Sequence, residues 1–333
     1  MLEEGVFAQI LNGHAAEPNR YDYVAQLRFP YANNKGVAKG QFVCAGVLIR
    51  PDVVLTTAWC ASQSGMWPEV RLGALKTQGK AKETRKVVAT AWHTGYLKQA
   101  TVYNIVDNIA LMKLDKPSKI APICQPADFP NPAASVNENL CILGYGSTTG
   151  KPGSGLAVQL MNGNQRRLGQ DSCDKMWGNF VDPCYANCST SNWGTKQYLC
   201  TANGKKDEAL CWEDSGAPLI RRSNNNAKQD MLIGLGAYTE CKGKGNKQEG
   251  SVFTNVAQYY DWIFRGVTLF NQKKCKDTGR HEIACAKDYN KQPAKCTPVG
   301  GRCETEPSTL NNSAKDTCCV GSCILGACMP VEP

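Results

Sequence analysis

Short runs of apolar and β-branched residues follow one another from about residue 20 to about residue 265 of this chain. Glycine, proline, asparagine and aspartate separate the runs, as in strands that are joined by turns. The clearest runs read YVAQLRF, FVCAGVLI, DVVLTT, NIALMKL, NLCILGYG, DMLIGLGAY and SVFTNV. Many short strands at this spacing predict an all-β barrel or sandwich.

Two segments depart from the strand pattern. Residues 115 to 135 are rich in proline and interrupt the strands near the middle, so we expect a crossover between two β halves there. From residue 256 to residue 270 the apolar positions change to helical spacing. The positions with this spacing are Val256, Tyr259, Tyr260, Ile263 and Phe264. The β region is therefore predicted to close with one helix.

Beyond residue 272 the hydrophobic runs stop, and eight of the 18 cysteines lie between residues 275 and 328. This change divides the chain into an extension (1–9), a β domain (10–272) and a cysteine-rich domain (273–333). So high a cysteine content predicts an oxidising, extracellular compartment, because cytosolic thiols stay reduced. Two N-glycosylation sequons agree with that compartment, at Asn187 and Asn311.

The formal net charge of +9 would help to attract an acidic partner, such as an anionic polysaccharide, an acidic protein or nucleic acid, but an ordinary solvated surface is the favoured interpretation. The basic residues occur as scattered pairs without a nucleic-acid-binding motif, so we expect no nucleic-acid partner. No stretch approaches the ~20 consecutive apolar residues of a membrane span. The start, MLEEGVFAQ, lacks the features of a signal peptide, and we expect that a secretion signal has been removed. Nothing in the sequence indicates a cofactor or a metal.

Six motifs occur in a fixed order along the β region. They read ILNGHAAEPNRYDYVAQL, FVCAGVLIRPDVVLTTAWC, DNIALMKL, LGYG, CWEDSGAPLI and VFTNVAQYYDWI. Together they resemble the trypsin-like (chymotrypsin-fold) serine proteases over residues 10 to 265. The resemblance implies two six-stranded β-barrels with the active site in the cleft between them, followed by a C-terminal helix.

The resemblance places Ser215 at the position of the catalytic nucleophile. Such a serine needs a histidine base, and an aspartate must hold that histidine in place. Here Trp59 stands at the histidine position and Asn108 at the aspartate position. An indole N–H donates a hydrogen bond but accepts no proton at neutral pH, so Trp59 cannot act as a general base. Asp107 comes one residue before Asn108, and strand alternation predicts that it does not reach the cleft.

The other positions that support catalysis in this family are also altered. None of the three histidines, His14, His93 and His281, falls at a triad position, so we expect them to be structural or solvated. Glu213 replaces the glycine whose N–H completes the oxyanion hole. A carboxylate at that place opposes the negative charge that develops in the transition state.

The resemblance also identifies a specificity pocket and a substrate-binding strand. Ala209 lies at the base of the pocket, and Thr239 and Ser251 lie on its walls, which predicts a narrow and uncharged pocket. On the strand, Tyr238 replaces a tryptophan and Ala237 a serine.

Activation in this family requires cleavage before a residue that corresponds to Ile10, whose new amine pairs with Asp214. The preceding Gln9 offers no basic cleavage site. If residues 1–9 are kept, we expect Asp214 to lack this amine and the oxyanion loop to stay zymogen-like.

The resemblance implies three disulfides, Cys44–Cys60, Cys173–Cys200 and Cys211–Cys241. The usual partner of the cysteine that corresponds to Cys141 is absent. A local Cys184–Cys188 bond and a bond from Cys124 to the C-terminal region remain open alternatives. Two further cysteines without an assignment are Cys275 and Cys285.

The last six cysteines are spaced C-x6-C-x14-CC-x3-C-x4-C over residues 296 to 328. This spacing resembles the inhibitor cystine knot, or knottin, family. The resemblance implies the pairs Cys296–Cys319, Cys303–Cys323 and Cys318–Cys328. A disulfide-rich tail with other pairing is the alternative, because six cysteines allow fifteen connectivities.

The altered triad predicts a secreted serine protease homologue without protease activity, which acts as a protein-binding, inhibitory or regulatory module. Its expected partner is an extracellular protease, glycosidase or structural protein. Similar proteins act as cofactors in animal proteolytic cascades or as oomycete inhibitors of glucan-degrading enzymes, and AEPNRYDY resembles forms common in microbial eukaryotes. We expect Trp59, Trp212 and Tyr238 to anchor the partner, since aromatic residues are often interface hot spots.

Two other functions stay open at this point. One is an unorthodox hydrolase, in which a lysine or the histidine of a partner activates Ser215. The other is a toxin or inhibitor function of the knottin-like module, with the β domain as its carrier.

Overall fold

A computed structural model shows how the strand pattern is arranged. It describes residues 10–28, 42–63, 69–93, 96, 107–125, 134–147, 158–181, 197–204, 208–211, 213–224, 226–239, 241, 250–271, 321–324 and 327–330. The two sequons, Trp212 and His281 lie outside these ranges, as do Cys184, Cys188 and the cysteines from Cys275 to Cys319.

Six antiparallel strands form the first closed barrel, in the order β2-β3-β4-β7-β6-β5. The strands are β2 (Val24–Arg28), β3 (Phe42–Arg50), β4 (Val53–Thr56), β5 (Glu69–Leu72), β6 (Glu83–Trp92) and β7 (Ala110–Leu114). Val47, Leu55 and Leu111 belong to the buried core of the molecule. The barrel closes because β2 pairs with both β3 and β5.

The second barrel follows the proline-rich crossover. Its strands are β8 (Asn139–Gly144), β9 (Met161–Arg167), β10 (Tyr198–Asn203), β11 (Pro218–Arg221), β12 (Met231–Tyr238) and β13 (Ser251–Asn255). The ring closes because β8 pairs with both β9 and β11, and β1 (His14–Ala15) adds to the outer side of β9. The predicted fold of two six-stranded barrels is therefore confirmed.

Three α-helices occur among the described residues, whereas the sequence pattern predicted one. They are α1 (Ala58–Gln63), α2 (Gln170–Val181) and α3 (Tyr260–Asn271). The first is too short to show a period, and the second carries glycine, asparagine and serine, which are weak helix formers. None of the helices among the described residues has the length and apolar character needed to cross a membrane.

The predicted C-terminal helix is present, but its first turn differs from the expectation. Val256–Tyr259 is a 3-10 helix, and α3 begins only at Tyr260. A 3-10 helix has about three residues per turn, so the rotation of the following α-helix shifts relative to a continuous one. As a result Phe264 is exposed, and the buried residues of α3 are Trp262, Ile263, Gly266 and Phe270.

A buried ion pair connects the two barrels. The Arg20 guanidinium, ahead of β2, donates to both carboxylate oxygens of Asp230, ahead of β12, at 2.5 and 2.7 Å. The Tyr23 hydroxyl donates to the same carboxylate at 2.7 Å. Asp230 is fully buried, so this network fixes the position of one barrel against the other, and with it the cleft.

The structure contains the disulfides Cys44–Cys60, Cys173–Cys200 and Cys211–Cys241. Cys141 is a buried free thiol, and burial raises its pKa to about 12. Cys124 is also disulfide-bonded.

Near the C-terminus, β14 (Gly321–Ile324) and β15 (Ala327–Pro330) form a two-stranded antiparallel sheet. Cys323 and Cys328 stand opposite each other in its backbone register. The three predicted cystine-knot pairings fall on side chains outside the described part, so they stay predictions.

Candidate functional site

Ser215 lies in a tight turn between the two barrels. Its carbonyl accepts a hydrogen bond from the Ala45 N–H of β3 at 2.9 Å, and the next N–H, of Gly216, donates to Gly236 of β12 at 2.8 Å. Gly216 has a φ of +78°, and a Cβ there would collide with the Ala45 carbonyl and with Thr56. Glycine is therefore required at this position, since both the conformation and the space exclude a side chain.

Trp59 lies in the first turn of α1, at the edge of the same cleft. Its backbone N–H donates to Asn108 Oδ1 at 2.9 Å, while its side chain is 40% exposed. Asn108 is buried, and its own carbonyl accepts from the Thr254 hydroxyl at 2.9 Å. The side-chain oxygen of Asn108 therefore holds the backbone of the turn that carries Trp59, although an indole stands there in place of an imidazole.

The hydroxyl of Thr57 is the group that meets Ser215. Thr57 Oγ1 lies 3.1 Å from Ser215 Oγ, and it also accepts from the Cys60 N–H at 3.3 Å. Neither hydroxyl removes a proton from the other at neutral pH, so this pair supplies no general base. Thr57 was not predicted from the sequence, because a threonine inside a strand-to-helix connection carries no catalytic signal by itself.

The oxyanion loop is folded in spite of its altered residue. Glu213 has a φ of +66°, a left-handed conformation in which glycine is favoured. The next residue, Asp214, is 1% exposed, and its carboxylate accepts from the N–H groups of Cys211 at 3.0 Å and Gly146 at 2.8 Å. The strained backbone at Glu213 therefore lies next to a buried acid that is held by backbone donors.

Within the described part of the chain, Asp214 forms no ion pair, and burial raises the pKa of its carboxyl to about 7. The two backbone hydrogen bonds oppose this rise, and the nearby charge of Glu213 adds to it. Ile10 is fully buried beside Asp214, since Ile10 Cδ1 lies 3.4 Å from the place of a Cβ at Gly144 and Asp214 Oδ1 lies against the same place. The Ile10 side chain therefore occupies the region of Asp214 without supplying a charge.

Leu210 lies beside the residues that were predicted to form the walls of the specificity pocket. Leu210 is buried, its N–H donates to Ser251 Oγ at 3.1 Å, and its carbonyl accepts from Thr239 Oγ1 at 3.2 Å. Both wall hydroxyls are thus bound to the backbone of Leu210. Ala209, at the predicted base, is fully buried and exchanges two backbone hydrogen bonds with Leu11.

Tyr238, at the end of β12, is half-buried against a small cluster around the second disulfide, with Leu168, Tyr198 and Val252 in its core. It lies in the strand that also carries Ala237, while Trp212 is outside the described residues. The structure therefore brings together Trp59, Asn108, Thr57 and Ser215, and it places Tyr238 in a separate cluster.

The described histidines have partners of their own. His93 Nδ1 lies 3.3 Å from Asp107 Oδ2, and its ring packs on Tyr259 and Trp262. Asp107 Oδ1 also accepts from the Tyr259 hydroxyl at 3.2 Å. His14 pairs with the buried Glu208 at 3.6 Å. Among the residues that the structure describes, no group of three metal-binding side chains forms.

Comparisons with known proteins agree with this geometry. The model of the trypsin family matches residues 10–263. Glucanase inhibitor protein 1 of Phytophthora sojae is 32% identical over 231 residues, which cover 68% of this chain and 79% of that protein. Granzyme F of Mus musculus is 28% identical over 268 residues, which cover 78% of this chain and 92% of that protein.

Among solved structures, mouse neuropsin, a serine protease, superposes with a TM-score of 0.59 at 19% identity. The match covers 77% of this chain and 99% of neuropsin. At this identity the likeness shows the fold alone.

Proposed function

The chain belongs to the trypsin family, and we propose that it is a secreted member without protease activity that binds and inhibits an extracellular protein. The observation that carries the proposal is the 3.1 Å contact of Ser215 Oγ with the Thr57 hydroxyl, beside a tryptophan at the base position. Removing the base of such a triad lowers kcat by a factor on the order of 10⁶.

One further feature opposes catalysis independently of the missing base. Glu213 replaces the glycine of the oxyanion hole, and a carboxylate close to the developing negative charge raises the energy of the transition state. The proposed specificity pocket has Thr239 and Ser251 on its walls, and both hydroxyls are hydrogen-bonded to the backbone of Leu210. These wall residues offer no charge to a substrate side chain.

The class of partner is proposed from the relatives. Proteins named glucanase inhibitors are among the curated relatives of this chain. We infer that this chain binds an extracellular glucanase through the rim of its cleft. The exposed indole of Trp59 is the proposed anchor, since partly exposed tryptophans are frequent hot spots of interfaces. Trp212 and Tyr238 are proposed as further contacts.

Inhibition kinetics against purified extracellular glucanases test this function. Trp59→Ala should weaken inhibition at least about tenfold, because a hot-spot aromatic contributes 2 kcal/mol or more. Ser215→Ala should leave inhibition unchanged, because no acyl transfer takes part. Phe264→Ala, at a second exposed aromatic that lies on α3, is the matched control. Equal inhibition by the wild type and Trp59→Ala would exclude the rim of the cleft as the binding surface.

A labelling experiment tests the loss of enzyme activity separately. An organophosphonate probe should leave Ser215 unmodified, and peptide and ester substrates should not turn over. Labelling that disappears in Ser215→Ala would demonstrate a reactive serine, and the chain would then be a hydrolase with an unorthodox base.

A further inference from the structure

Cys124 lies in the segment that connects β7 with β8, and its backbone is fixed against both barrels. Its N–H donates to the Asp230 carbonyl at 3.2 Å, and its carbonyl accepts from the Leu232 N–H at 2.9 Å, so it joins the start of β12. The preceding Ile123 N–H donates to the Leu48 carbonyl of β3 at 2.9 Å. Cys124 therefore holds a defined place where the two barrels meet.

The sulfur of Cys124 is bonded to another cysteine. Six of the other described cysteines form the three disulfides of the β domain, and Cys141 is a free thiol. Among the cysteines whose side chains the structure describes, none is therefore left as the partner of Cys124. The bond must run to one of the cysteines elsewhere in the sequence.

The last helix of the β domain ends close to this place. Helix α3 ends at Asn271, whose Oδ1 accepts from Nζ of Lys113 on β7 at 3.5 Å. From β7 the sheet continues through β4 and β3 to the Ile123 backbone. These three steps span about 14 Å, because adjacent strands lie ~4.8 Å apart.

Cys275 is the first cysteine after α3, four residues beyond Asn271. Four residues of extended chain span up to about 14 Å, and the two Cα atoms of a disulfide stand up to about 6.8 Å apart. Cys275 can therefore reach Cys124 without a change in either barrel or in α3. Cys285 lies ten residues further along, so its bond would close a longer loop at a higher entropic cost.

We propose that Cys124 and Cys275 form a disulfide that ties the cysteine-rich domain to the barrels. When the bond forms, the two thiols give up two protons and two electrons. Both pass to the disulfide of an oxidoreductase in the secretory compartment, which is reduced to a dithiol. The new bond removes freedom from the chain that follows α3, since a closed loop has fewer conformations than an open chain.

The position of this bond determines where the cysteine-rich domain joins the barrels. Cys124 pairs with Met231 at the start of β12, whereas the Gly216 N–H, beside Ser215, donates to Gly236 of the same strand. The five residues between these two contacts span about 17 Å of strand. The bond therefore lies at the opposite end of β12 from Ser215. It uses no residue of the cleft, so it does not depend on the proposed inhibition of a glucanase.

Peptide mapping of the full chain without reduction tests the bond. Free thiols are blocked with N-ethylmaleimide, and trypsin together with Asp-N protease then cuts the unfolded chain. Cys124 falls in the peptide 120–127, and Cys275 falls in the dipeptide 275–276. We expect mass spectrometry to find these two peptides joined, and reduction to separate them. A peptide 120–127 that is joined to 182–196, to 281–287 or to any other peptide, or that carries the maleimide, would overturn the proposal.

Matched serine variants give a second measurement. In Cys275→Ser the thiol of Cys124 should lose its partner and react with N-ethylmaleimide in the unfolded chain. Cys285→Ser is the control, because it removes another cysteine of the same domain, and it should keep the Cys124–Cys275 link. A Cys124 that stays bonded in Cys275→Ser would contradict the pairing. If Cys275→Ser does not fold, the map of the wild type decides by itself.

Discussion

The turn that carries Ser215 and the turn that carries Trp59 meet in the cleft, and they differ in what has been kept. Around Ser215 the backbone frame is complete, because the Ser215 carbonyl accepts from the Ala45 N–H and the Gly216 N–H donates to the Gly236 carbonyl. Around Trp59 the frame is also complete, because Asn108 Oδ1 accepts from the Trp59 N–H. The chemical groups differ, since the nucleophile remains and the base is replaced.

The backbone structure of the two turns and the chemistry of their side chains therefore have different requirements. The hydrogen bonds that fold both turns use backbone groups or an oxygen acceptor, and an amide oxygen serves as well as a carboxylate oxygen for that purpose. Proton transfer requires one particular side chain, an imidazole, within reach of the serine. The proposed loss of catalysis therefore requires only a few changed side chains, while both turns keep their backbone hydrogen bonds.

The largest expected effect concerns Asp214, the buried acid directly before Ser215. It is a dependence of stability on pH. The pKa of Asp214 in the folded protein is about 7, above its ordinary value of 3.8. The folded state therefore keeps a proton that the unfolded chain loses, and the free energy of unfolding falls as pH rises from 4 to 7. The loss is on the order of 4 kcal/mol.

Chemical denaturation at several pH values measures this effect, with Asp214→Asn as the reference. As pH rises from 4 to 7, the unfolding free energy of the wild type should fall relative to that of Asp214→Asn. A difference that stays constant over this range would show that Asp214 is ionised in the folded protein.

The frame of the Ser215 turn is tested by Gly216→Ala. A Cβ at this position meets a backbone carbonyl, and the φ of +78° is unfavourable for alanine. We expect a loss of about 3 kcal/mol of stability, measured by urea unfolding. Gly79→Ala is the control, because Gly79 also has a positive φ but has room for a Cβ. It should cost about 1 kcal/mol, and equal losses would assign the whole effect to backbone conformation.

The frame of the Trp59 turn is tested by Asn108→Ala. This change leaves the Trp59 N–H without its acceptor, which should cost about 2 kcal/mol. Asn271→Ala, at the exposed end of α3, should stay within about 0.5 kcal/mol of the wild type in the same unfolding assay. If Asn108→Ala is as stable as that control, the side chain of Asn108 does not hold the turn.

The smallest effect concerns the contact between the two turns. Thr57 accepts from the Cys60 N–H at the start of α1, so Thr57→Val should cost about 1 kcal/mol, whereas Thr57→Ser should cost less. Neither variant should gain reactivity toward an organophosphonate, because neither change places a general base beside Ser215. Labelling of Thr57→Val at Ser215 would mean that Thr57 alone keeps the serine inactive.

Local patterns in the sequence predicted several parts of this molecule. Alternating apolar runs predicted the strands of both barrels, since strand side chains alternate between two faces. The order of the motifs identified Trp59, Asn108 and Ser215 as the residues at the three triad positions. None of these three residues carries an imidazole. The helix α2 was missed, because its residues have neither a clear apolar period nor high helix propensity.

Tertiary structure decided which residues meet at the candidate site. Thr57 and Ser215 are 158 residues apart, and Leu210 meets Thr239 across 29 residues. A strand pattern tells which face a side chain takes, but not which residue of another strand or turn will stand opposite it. That choice depends on the register of both barrels and on the Arg20–Asp230 link between them. The sequence by itself thus determined the fold and the residues that stand at the three triad positions. Only the assembled barrels decided that a threonine would meet the serine, that the Leu210 backbone would bind Thr239 and Ser251, and that Asp214 would be buried without a cation among the described residues.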